Sequence, residues 1–312
     1  KIGITGANGF LGFHIYNRIN LLKDKYEIVK FERSYFIEKN YNKLKNFVSN
    51  CDVIIHLAAI NRHDDLDKLK EINIELVNKL IASCKDSRSA PHMIFSSSSQ
   101  ENSNNHYGES KIIGRELFKK WSKDSGAVFT GMIIPNVYGP FGKPNHNSVI
   151  STFCNQIING LETTLKIDNN LDLIYINYLV DEFINIIDNK INKSAYLIKP
   201  SIKLKVSKLL SVFNDFYKIY FLNKEIPQLN EDYKLNLFNT FRSYINHANY
   251  FPVKYSLNTD IRGTFVELMK ASSGGQFSFS TTKPGITRGN HYHTRKIERF
   301  SVIKGKAKIE LR

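Results

Sequence analysis

Tyr107 and Lys111 form the first pair of residues whose types and spacing could do chemistry. They stand four residues apart in NNHYGESK and therefore share one face of a helix. A lysine ammonium beside a phenol stabilises the phenolate, so such a pair can exchange a proton with an alcohol or ketone oxygen. The upstream stretch MIFSSSS ends in serines, of which we select Ser98 by register as a hydroxyl that hydrogen-bonds the same oxygen. Because a Y-x-x-x-K pair also arises by chance, the assignment depends on what surrounds it.

A glycine-rich loop close to the start of the chain could hold a phosphate. Gly6, Gly9 and Gly12 in TGANGFLG follow a strand and open a helix. Glycines at this point let the backbone approach a pyrophosphate, which the free N–H groups and the dipole of the helix favour. Taken alone, the loop is also compatible with a purely structural turn. Combined with Tyr107 and Lys111 it predicts a nicotinamide dinucleotide, and we expect the ammonium and the oxidised nicotinamide to lower the tyrosine pKa toward neutrality.

Two histidines and a glutamate near the end of the chain have the types and spacing of metal ligands. His291, His293 and Glu298 lie in GITRGNHYHTRKIERFSVIKG. The two histidines are predicted to alternate onto the same face of a strand, and the glutamate to reach them from the next strand. Two imidazoles and a carboxylate suit a borderline divalent ion, so we favour Zn²⁺, with Fe, Ni or Mn as alternatives.

The elements that must position the tyrosine and the glycine loop alternate between apolar strands and amphipathic helices up to about residue 142. Strands are predicted at KIGIT, YEIVKF, CDVIIHLAA, HMIFSSSS and FTGMIIPNVYG, and helices at stretches such as NIELVNKLIASCK and SKIIGRELFKKW. That alternation is typical of a parallel sheet covered on both faces. From about 144 to 245, helices at SVISTFCNQIING and VSKLLSVFNDFYKIYF and a strand at LDLIYIN indicate a small α-rich subdomain that shapes a substrate pocket.

The pattern changes near residue 250, where helical periodicity ends. GTFVELMK, GQFSFSTT, ERFSVIKG and KAKIELR alternate apolar and polar residues between glycines, as antiparallel strands do. We therefore predict an α/β fold with a doubly wound parallel sheet and its substrate subdomain over residues 1–248. An all-β domain is predicted to follow over residues 249–312.

Composition places the chain among folded, water-soluble proteins. It has 312 residues, 42% of them hydrophobic, and no apolar run near 18 residues, so we expect no membrane insertion. A net charge of +15 suits a polyanionic partner, but the lysines are spread along the chain, which argues against nucleic acid and favours phosphate-bearing small molecules. Three unpatterned cysteines predict reduced, buried thiols. The chain does not open with a secretory signal, so we expect a cytoplasmic protein.

Residues 1–245 resemble the extended short-chain dehydrogenase/reductase family, which works on nucleotide sugars. The shared motifs are TGANGFLG, DVIIHLAA, SSSS, YGESK and PNVYGP. The resemblance implies a Rossmann-type fold, NAD(P) as cofactor and a catalytic set of Ser98, Tyr107 and Lys111. It implies cofactor contacts from the catalytic tyrosine and lysine and from Gly6, Asn8, Gly9, Phe10, Leu11, Gly12, Arg33, Leu57, Ala58 and Ala59. It implies substrate contacts from Ser98, Asn61, Arg62 and Asn136.

The sequence departs from this family in two places. Dehydratases carry a Thr-Asp-Glu group where this chain has only serines, so water elimination is not expected. Many relatives have an arginine before the Pro-Asn of PNVYG, where this chain has Ile133 and Ile134, so that substrate or phosphate contact is not carried over.

The choice between NAD and NADP depends on KFERSYF, after the second predicted strand. An acidic residue there holds a ribose 2′-hydroxyl, whereas an arginine favours a 2′-phosphate. Glu32 therefore favours NAD, and Arg33 favours NADP. We favour NADP(H), because Arg33 and Ser34 can together bind the phosphate if Glu32 turns outward. NAD remains the alternative.

The spacing from Gly285 to Gly305 resembles the first motif of the cupin family, a small antiparallel jelly-roll barrel. The resemblance implies the metal site described above, although many cupins bind no metal and related sugar epimerases use a histidine as a base instead. Cupins usually supply one more histidine from a later motif, which would lie beyond Arg312. The absent initiator methionine and an end inside a predicted strand lead us to expect a fragment with a partial barrel.

The two parts together resemble the bifunctional capsular-polysaccharide enzymes known as CapF or WbjC-like. INRHDD, KPNHNSVISTFCNQI, NTDIRGTFVELMK and KPGITRGNHYH carry this resemblance along the chain. It implies that the cupin inverts C3 of a UDP-2-acetamido-2,6-dideoxy-hexos-4-ulose and that the reductase then reduces C4, giving a UDP-2-acetamido-2,6-dideoxy-L-talose on the route to N-acetyl-L-fucosamine. A homodimer is expected, since such reductases often pair through helices and cupins through strands.

Two alternative functions stay open. One is a reductase or 4-epimerase whose cupin part is a non-catalytic module. The other is a non-catalytic nucleotide-sugar-binding or NADP-binding protein, which the intact YGESK disfavours.

Overall fold

The computed structural model describes residues 1–146, 148–295 and 297–310. The chain divides into two units, Lys1–Phe251 and Pro252–Arg312.

The strands of the first unit form a main sheet and a smaller one. In chain order they are β1 (Ile2–Thr5), β2 (Ile28–Val29), β3 (Val53–His56), β4 (His92–Ser98), β5 (Phe129–Ile134), β6 (Asn136–Tyr138), β7 (Asn170–Tyr175), β8 (Lys193–Leu197), β9 (Ile202–Lys205) and β10 (Glu225–Ile226). The main sheet is parallel, in the order β2-β1-β3-β4-β5-β8. In the smaller sheet β7 pairs in parallel with β6 and antiparallel with β9.

Helices connect these strands. They are α1 (Phe10–Leu21), α2 (Tyr41–Ser49), α3 (Leu66–Asp86), α4 (His106–Ser125), α5 (Val149–Ile158), α6 (Ile176–Asp188), α7 (Val206–Phe216), α8 (Asp232–Arg242) and α9 (His247–Tyr250). The start of α4 is fixed by Asn105, whose side chain accepts a hydrogen bond from the Gly108 N–H at 2.7 Å. Its end is set by Gly126, which takes the left-handed conformation with φ +72°.

Side-chain alternation in β3 shows why helices cover both faces of the main sheet. Ile54 is fully buried in a cluster with apolar residues of α2, α3 and α4. Ile55 is fully buried in a second cluster with residues of α1 and α6. A strand whose neighbouring side chains are both buried belongs to a sheet sandwiched between helices. The predicted doubly wound parallel sheet is thus confirmed.

The structure differs from the predicted elements around Pro135. The stretch FTGMIIPNVYG forms two strands, because proline has no N–H to donate and interrupts the ladder between β5 and β6. β5 stays in the main sheet, whereas β6 joins the smaller one. The region from 144 to 245 also supplies β8, which pairs with β5 at the edge of the main sheet and was not recognised from KSAYL.

The second unit contains a three-stranded antiparallel arrangement. β12 (Gly263–Ala271) pairs with β11 (Leu257–Asp260) on one side and with β13 (Gln276–Ser280) on the other. The strands expected at GTFVELMK and GQFSFSTT are confirmed. The strands expected at ERFSVIKG and KAKIELR are wrong for the described residues, because no described segment pairs with them and a strand requires a hydrogen-bonded neighbour. The last two residues of KAKIELR lie outside the described residues.

The cysteines are free and buried, as predicted: Cys51, Cys84 and Cys154. Burial raises the thiol pKa of Cys51 and of Cys84 to about 12. Among the helices of the described residues, none is both long and apolar enough to cross a bilayer.

Candidate functional site

The glycine loop leaves no room for a side chain at Gly6 or at Gly12. Gly6 has a φ of +81°, and a Cβ there would lie 3.0 Å from the Ala58 backbone nitrogen. A Cβ on Gly12 would lie only 2.2 Å from the Gly6 carbonyl oxygen. The loop therefore folds tightly against the segment that follows β3, a backbone-lined cradle of the kind that a pyrophosphate occupies.

The start of α1 offers backbone donors to this cradle. Gly9 precedes the helix and has no side chain that could cap it. The N–H groups of the first turn, at Phe10, Leu11 and Gly12, have no intrahelical partner in such a geometry, and the helix dipole adds partial positive charge. These are residues predicted to contact the cofactor, and the donor chemistry fits a dinucleotide diphosphate.

A side-chain hydrogen bond joins the ends of β1 and β3. Thr5 Oγ1 lies 2.7 Å from His56 Nδ1, and the Ala58 N–H donates to Thr5 Oγ1 at 3.3 Å. This holds the predicted cofactor segment Leu57–Ala59 beside Gly6. His56 is only 1% exposed, and burial, helped by the charge of Lys111, lowers its pKa to about 3.

Two buried histidines make the first unit sensitive to acid. Burial lowers the pKa of His56 to about 3 and that of His92 to about 4, whereas both lie near 6.5 in an unfolded chain. Between pH 6.5 and these values the unfolded chain binds more protons, so the free energy of unfolding falls as the pH decreases through that window. At pH 4.5 each histidine is expected to reduce it by about 2 to 3 kcal/mol.

A glutamine at His92 tests this expectation, since it retains a polar group for Thr130 but does not titrate. Urea unfolding at pH 7 and pH 4.5 should show a smaller acid-induced loss in His92→Gln than in the wild type. His247→Gln, at an exposed histidine, serves as the control and should lose as much as the wild type. An equal loss in all three proteins contradicts the assignment.

The structure brings Tyr107 and Lys111 together at the start of α4. The Lys111 ammonium is buried, lies 5.5 Å from the centre of the Tyr107 ring and donates to the Ser96 carbonyl oxygen at 2.9 Å. It also stands 4.9 Å from the centre of the Phe95 ring. The predicted spacing thus yields an ammonium held beside the phenol by the neighbouring strand.

Ser98 occupies the carboxyl end of β4, beside the same helix. Its Oγ accepts a hydrogen bond from the Gln100 N–H at 3.2 Å. A Cβ on Gly108 would lie 2.1 Å from the Gln100 carbonyl oxygen, so the first turn of α4 packs directly on the turn that follows Ser98. The serine is therefore anchored next to the helix that carries Tyr107.

The side chains around Tyr107 act against the predicted lowering of its pKa, a prediction that also invoked the charge of an oxidised nicotinamide. Burial raises the pKa of Tyr107 to about 12, because a phenolate loses more hydration than the neutral phenol. Burial likewise lowers the pKa of Lys111 to about 8, and the negative charge of Glu101 opposes that change. At neutral pH the phenol is therefore protonated and the lysine still carries its charge.

The predicted substrate residues follow strand ends of the first unit. Asn61 and Arg62 are exposed after β3, and Arg62 Nη1 donates to the Asn145 carbonyl oxygen at 2.9 Å. Asn136 is exposed at the start of β6, just after β5. Since β3, β4 and β5 are parallel, these positions share with Ser98 the carboxyl edge of the sheet, where ligands of such folds bind.

The residues predicted to select the cofactor follow β2. Glu32 Oε1 lies 3.0 Å from Lys30 Nζ, and this contact lowers the pKa of the Glu32 carboxyl. Arg33 begins a short 3₁₀ turn. The carboxylate is thus already paired with Lys30.

His291, His293 and Glu298 lie together in the second unit. Their ligand atoms are all within 4.8 Å of one another, and His293 Nε2 is 3.3 Å from Glu298 Oε1. The predicted strands at this place are wrong, since the described residues here form no strand and all three side chains are exposed. Ligand atoms around one Zn²⁺ stand about 3.5 Å apart, so the group fits a metal after small side-chain rotations.

Sequence reasoning missed a charged pair at helix α4, Glu101 and Arg115. Arg115 donates two hydrogen bonds to the Glu101 carboxylate. The available signal was the spacing of Tyr107, Lys111 and Arg115, which repeats every four residues along one face of α4.

The NAD dependent epimerase/dehydratase family matches residues 2–198, and the polysaccharide biosynthesis C-terminal domain matches residues 258–312. Over 316 aligned residues the chain is 32% identical to a UDP-2-acetamido-2,6-beta-L-arabino-hexul-4-ose reductase of Pseudomonas aeruginosa, covering 100% of this chain and 82% of that protein.

Solved structures are similar as well. The capsular polysaccharide assembling protein CapF of Staphylococcus aureus superposes with a TM-score of 0.78 and 28% identity, covering 94% of this chain and 78% of CapF. RMD of Pseudomonas aeruginosa, solved with NADPH, gives a TM-score of 0.67 at 17% identity over 78% of this chain and 98% of that chain. The first likeness confirms the resemblance to CapF, and the second shows the fold alone.

Proposed function

Because the chain belongs to the NAD-dependent epimerase/dehydratase family, we propose that it is a bifunctional epimerase and reductase of a UDP-activated keto-sugar. The proposed substrate is a UDP-2-acetamido-2,6-dideoxy-hexos-4-ulose. The second unit, as part of a cupin domain, inverts C3, and the first unit then reduces C4 with NADPH to a UDP-N-acetyl-6-deoxy-L-talosamine for capsular polysaccharide synthesis. The observation that carries this proposal is the buried Lys111 ammonium beside the Tyr107 phenol.

The side chains around Tyr107 perform the proton transfer of the reduction. NADPH, when bound at the glycine loop, supplies the hydride for C4. Tyr107 is protonated at neutral pH and donates its proton to the C4 oxygen, while the Ser98 hydroxyl hydrogen-bonds that oxygen. The Lys111 ammonium stabilises the phenolate that remains.

Two chemical requirements fix the order of the proposed steps. A proton on C3 is labile only while C4 is a carbonyl, because its removal leaves charge that spreads onto the oxygen. Reduction of C4 abolishes that acidity. Inversion of C3 therefore precedes reduction, and a single chain with both sites processes the unstable ketone in sequence.

His291, His293 and Glu298 are the residues proposed to hold a divalent ion in the second unit. Such an ion supplies positive charge beside the ketone oxygen. Two imidazoles and one carboxylate favour Zn²⁺ among the available ions.

Arg33 is proposed to select NADPH over NADH. With Glu32 paired to Lys30, the guanidinium is the group available to a 2′-phosphate. Replacing Arg33 with alanine should weaken NADPH binding by about 10- to 100-fold, the worth of a charge-assisted hydrogen bond, and leave NADH binding within about twofold. Fluorescence titration of both cofactors against both proteins measures this, and equal affinities for NADPH before and after the change refute the assignment.

A reductase or 4-epimerase with a non-catalytic second unit is the second candidate. The exposure of His291, His293 and Glu298 to solvent favours it, since catalytic metals usually sit in enclosed cavities. The deciding experiment incubates the full-length protein with the keto-sugar and NADPH in D₂O and locates deuterium and configuration by NMR. Deuterium at C3 supports the bifunctional enzyme, and a reduced sugar without it supports the second candidate.

A further inference from the structure

A buried ion pair lies beside the reductase site. Arg115 donates from Nε to Glu101 Oε1 and from Nη2 to Glu101 Oε2, each at 2.8 Å. Only 13% of the Arg115 side chain and 7% of the Glu101 side chain are exposed. Burying two charges contributes little net stability even in this forked geometry, so a pair of this kind is better explained by what it holds in place.

The pair connects the strand that ends in Ser98 to the catalytic helix. Glu101 lies in the 3₁₀ turn Ser99–Asn102, directly after β4, and also accepts a hydrogen bond from the Ser97 hydroxyl. Arg115 lies one turn beyond Lys111 in α4. The Glu101 carboxylate is thus bonded to both elements that carry the proposed catalytic residues.

Strand β5 leaves space for the arginine in this arrangement. A Cβ on Gly131 would lie 2.8 Å from both Cγ and Cδ of Arg115. Arg115 Nη1 also donates to the Ser194 carbonyl oxygen of β8 at 3.3 Å. The side chain is therefore packed and bonded along its length: its Nε and Nη2 bind Glu101, while Nη1 also donates to Glu116 Oε1 at 3.3 Å.

Charged and titratable groups approach Lys111 from three elements. His56 comes from β3 and is neutral, Tyr107 and Arg115 come from α4, and Glu101 comes from the turn after β4. Among these described groups Glu101 brings the negative charge, and it favours the ammonium form of Lys111 against the effect of burial.

We propose that Glu101 is a positioning residue of the reductase site: it fixes the end of β4 to helix α4 through Ser97 and Arg115. As a consequence, its negative charge also favours the ammonium form of Lys111. The catalytic meaning of this inference rests on the proposed reductase function. The electrostatic part does not, since it concerns the protonation of one lysine in the free protein.

The direct test is the titration of Lys111, followed by NMR of ¹³Cε-labelled lysine in the full chain, with the signal assigned by Lys111→Met. Glu101→Gln retains the shape of the side chain and removes its charge. The midpoint of Lys111 should fall by about one pH unit, the usual effect of losing a nearby opposite charge. Glu101→Asp retains the charge and should titrate within about 0.3 units of the wild type. An unchanged midpoint in Glu101→Gln overturns the inference.

A second pair of variants covers the case in which Glu101→Gln fails to fold because the Arg115 fork loses its buried carboxylate. Glu101→Gln combined with Arg115→Gln should have a lower Lys111 midpoint than Arg115→Gln alone, because only the single variant retains the negative charge of Glu101. In the active protein the basic limb of the kcat profile should move with the midpoint, while KM changes by less than about twofold. If Glu101→Gln has lower thermal stability but the same pH profile of kcat as the wild type, the pair has a purely structural role and the inference is overturned.

The two proposals fail in different ways. A wild-type protein that oxidises no NADPH with the keto-sugar counts against the reductase function, whatever Lys111 does. If the reductase is active but the titration midpoint of Lys111 is the same in Glu101→Gln as in the wild type, only the positioning role is contradicted.

Discussion

Replacing Tyr107 with phenylalanine should lower the rate of NADPH oxidation with the keto-sugar by about 10²- to 10⁴-fold, the usual worth of a general acid. The phenol is the proposed proton donor to the C4 oxygen, and with a pKa of about 12 it is present in the donating form at neutral pH. The substitution removes only the hydroxyl group of a half-buried side chain, so the fold should persist. Stopped-flow absorbance at 340 nm measures the rate, and circular dichroism verifies the fold.

Tyr196→Phe provides the matched control for this change. Tyr196 lies in β8 of the main sheet, and its hydroxyl donates a hydrogen bond to Glu182 Oε2 at 3.1 Å. The control should reduce the ketone at the wild-type rate. Tyr107→Phe should in addition retain deuterium exchange at C3, which we propose takes place in the second unit. Loss of both activities in this variant would contradict the proposed division between the two units.

Replacing His293 with alanine should lower deuterium exchange at C3 by about 10²- to 10³-fold, because the charge beside the developing enolate is lost. In the proposed metal group, His293 Nε2 lies 3.3 Å from Glu298 Oε1. Reduction of a ketone already inverted at C3 should proceed at the wild-type rate. NMR in D₂O measures the exchange, and elemental analysis of the purified proteins measures the metal.

His247→Ala, at an exposed histidine of the first unit, is the control and should change neither quantity. A chelator that removes the metal should imitate His293→Ala, and added Zn²⁺ should reverse it. Exchange that survives the chelator but not the substitution would instead identify the histidine as a base in a metal-free site. Exchange that survives both would leave the second unit without a catalytic role.

The parallel sheet could be predicted because its evidence is local. Apolar runs such as DVIIHLAA place neighbouring residues on opposite faces, and Ile54 and Ile55 are indeed buried on the two sides. Strands whose existence depends on a distant partner could not be judged in the same way. ERFSVIKG alternates as a strand does, yet the described part of its unit offers no neighbour to pair with it. Pro135 was visible in the sequence, but its effect on the ladder was underestimated.

For the candidate site, the sequence predicted which residues lie together better than it predicted how their pKa values are shifted. The spacing of Tyr107 and Lys111 sufficed to put them side by side. The spacing did not show whether the pKa of Tyr107 is raised or lowered, because this depends on how many other side chains exclude water from the phenol. The pairing of Glu101 with Arg115 depends on the turn after β4, whose path no local pattern specifies.

The break at Pro135 has a consequence for how new substrate preferences can arise. The chain leaves the main sheet after Ile134 and returns to it at Lys193, in the strand next to the one it left. The segment between Ile134 and Lys193 can change in length and composition while β5 and β8 stay paired. Tyr107, Lys111 and the glycine loop all lie upstream of it, so the residues proposed for hydride transfer can be combined with inserts that fit different substrates.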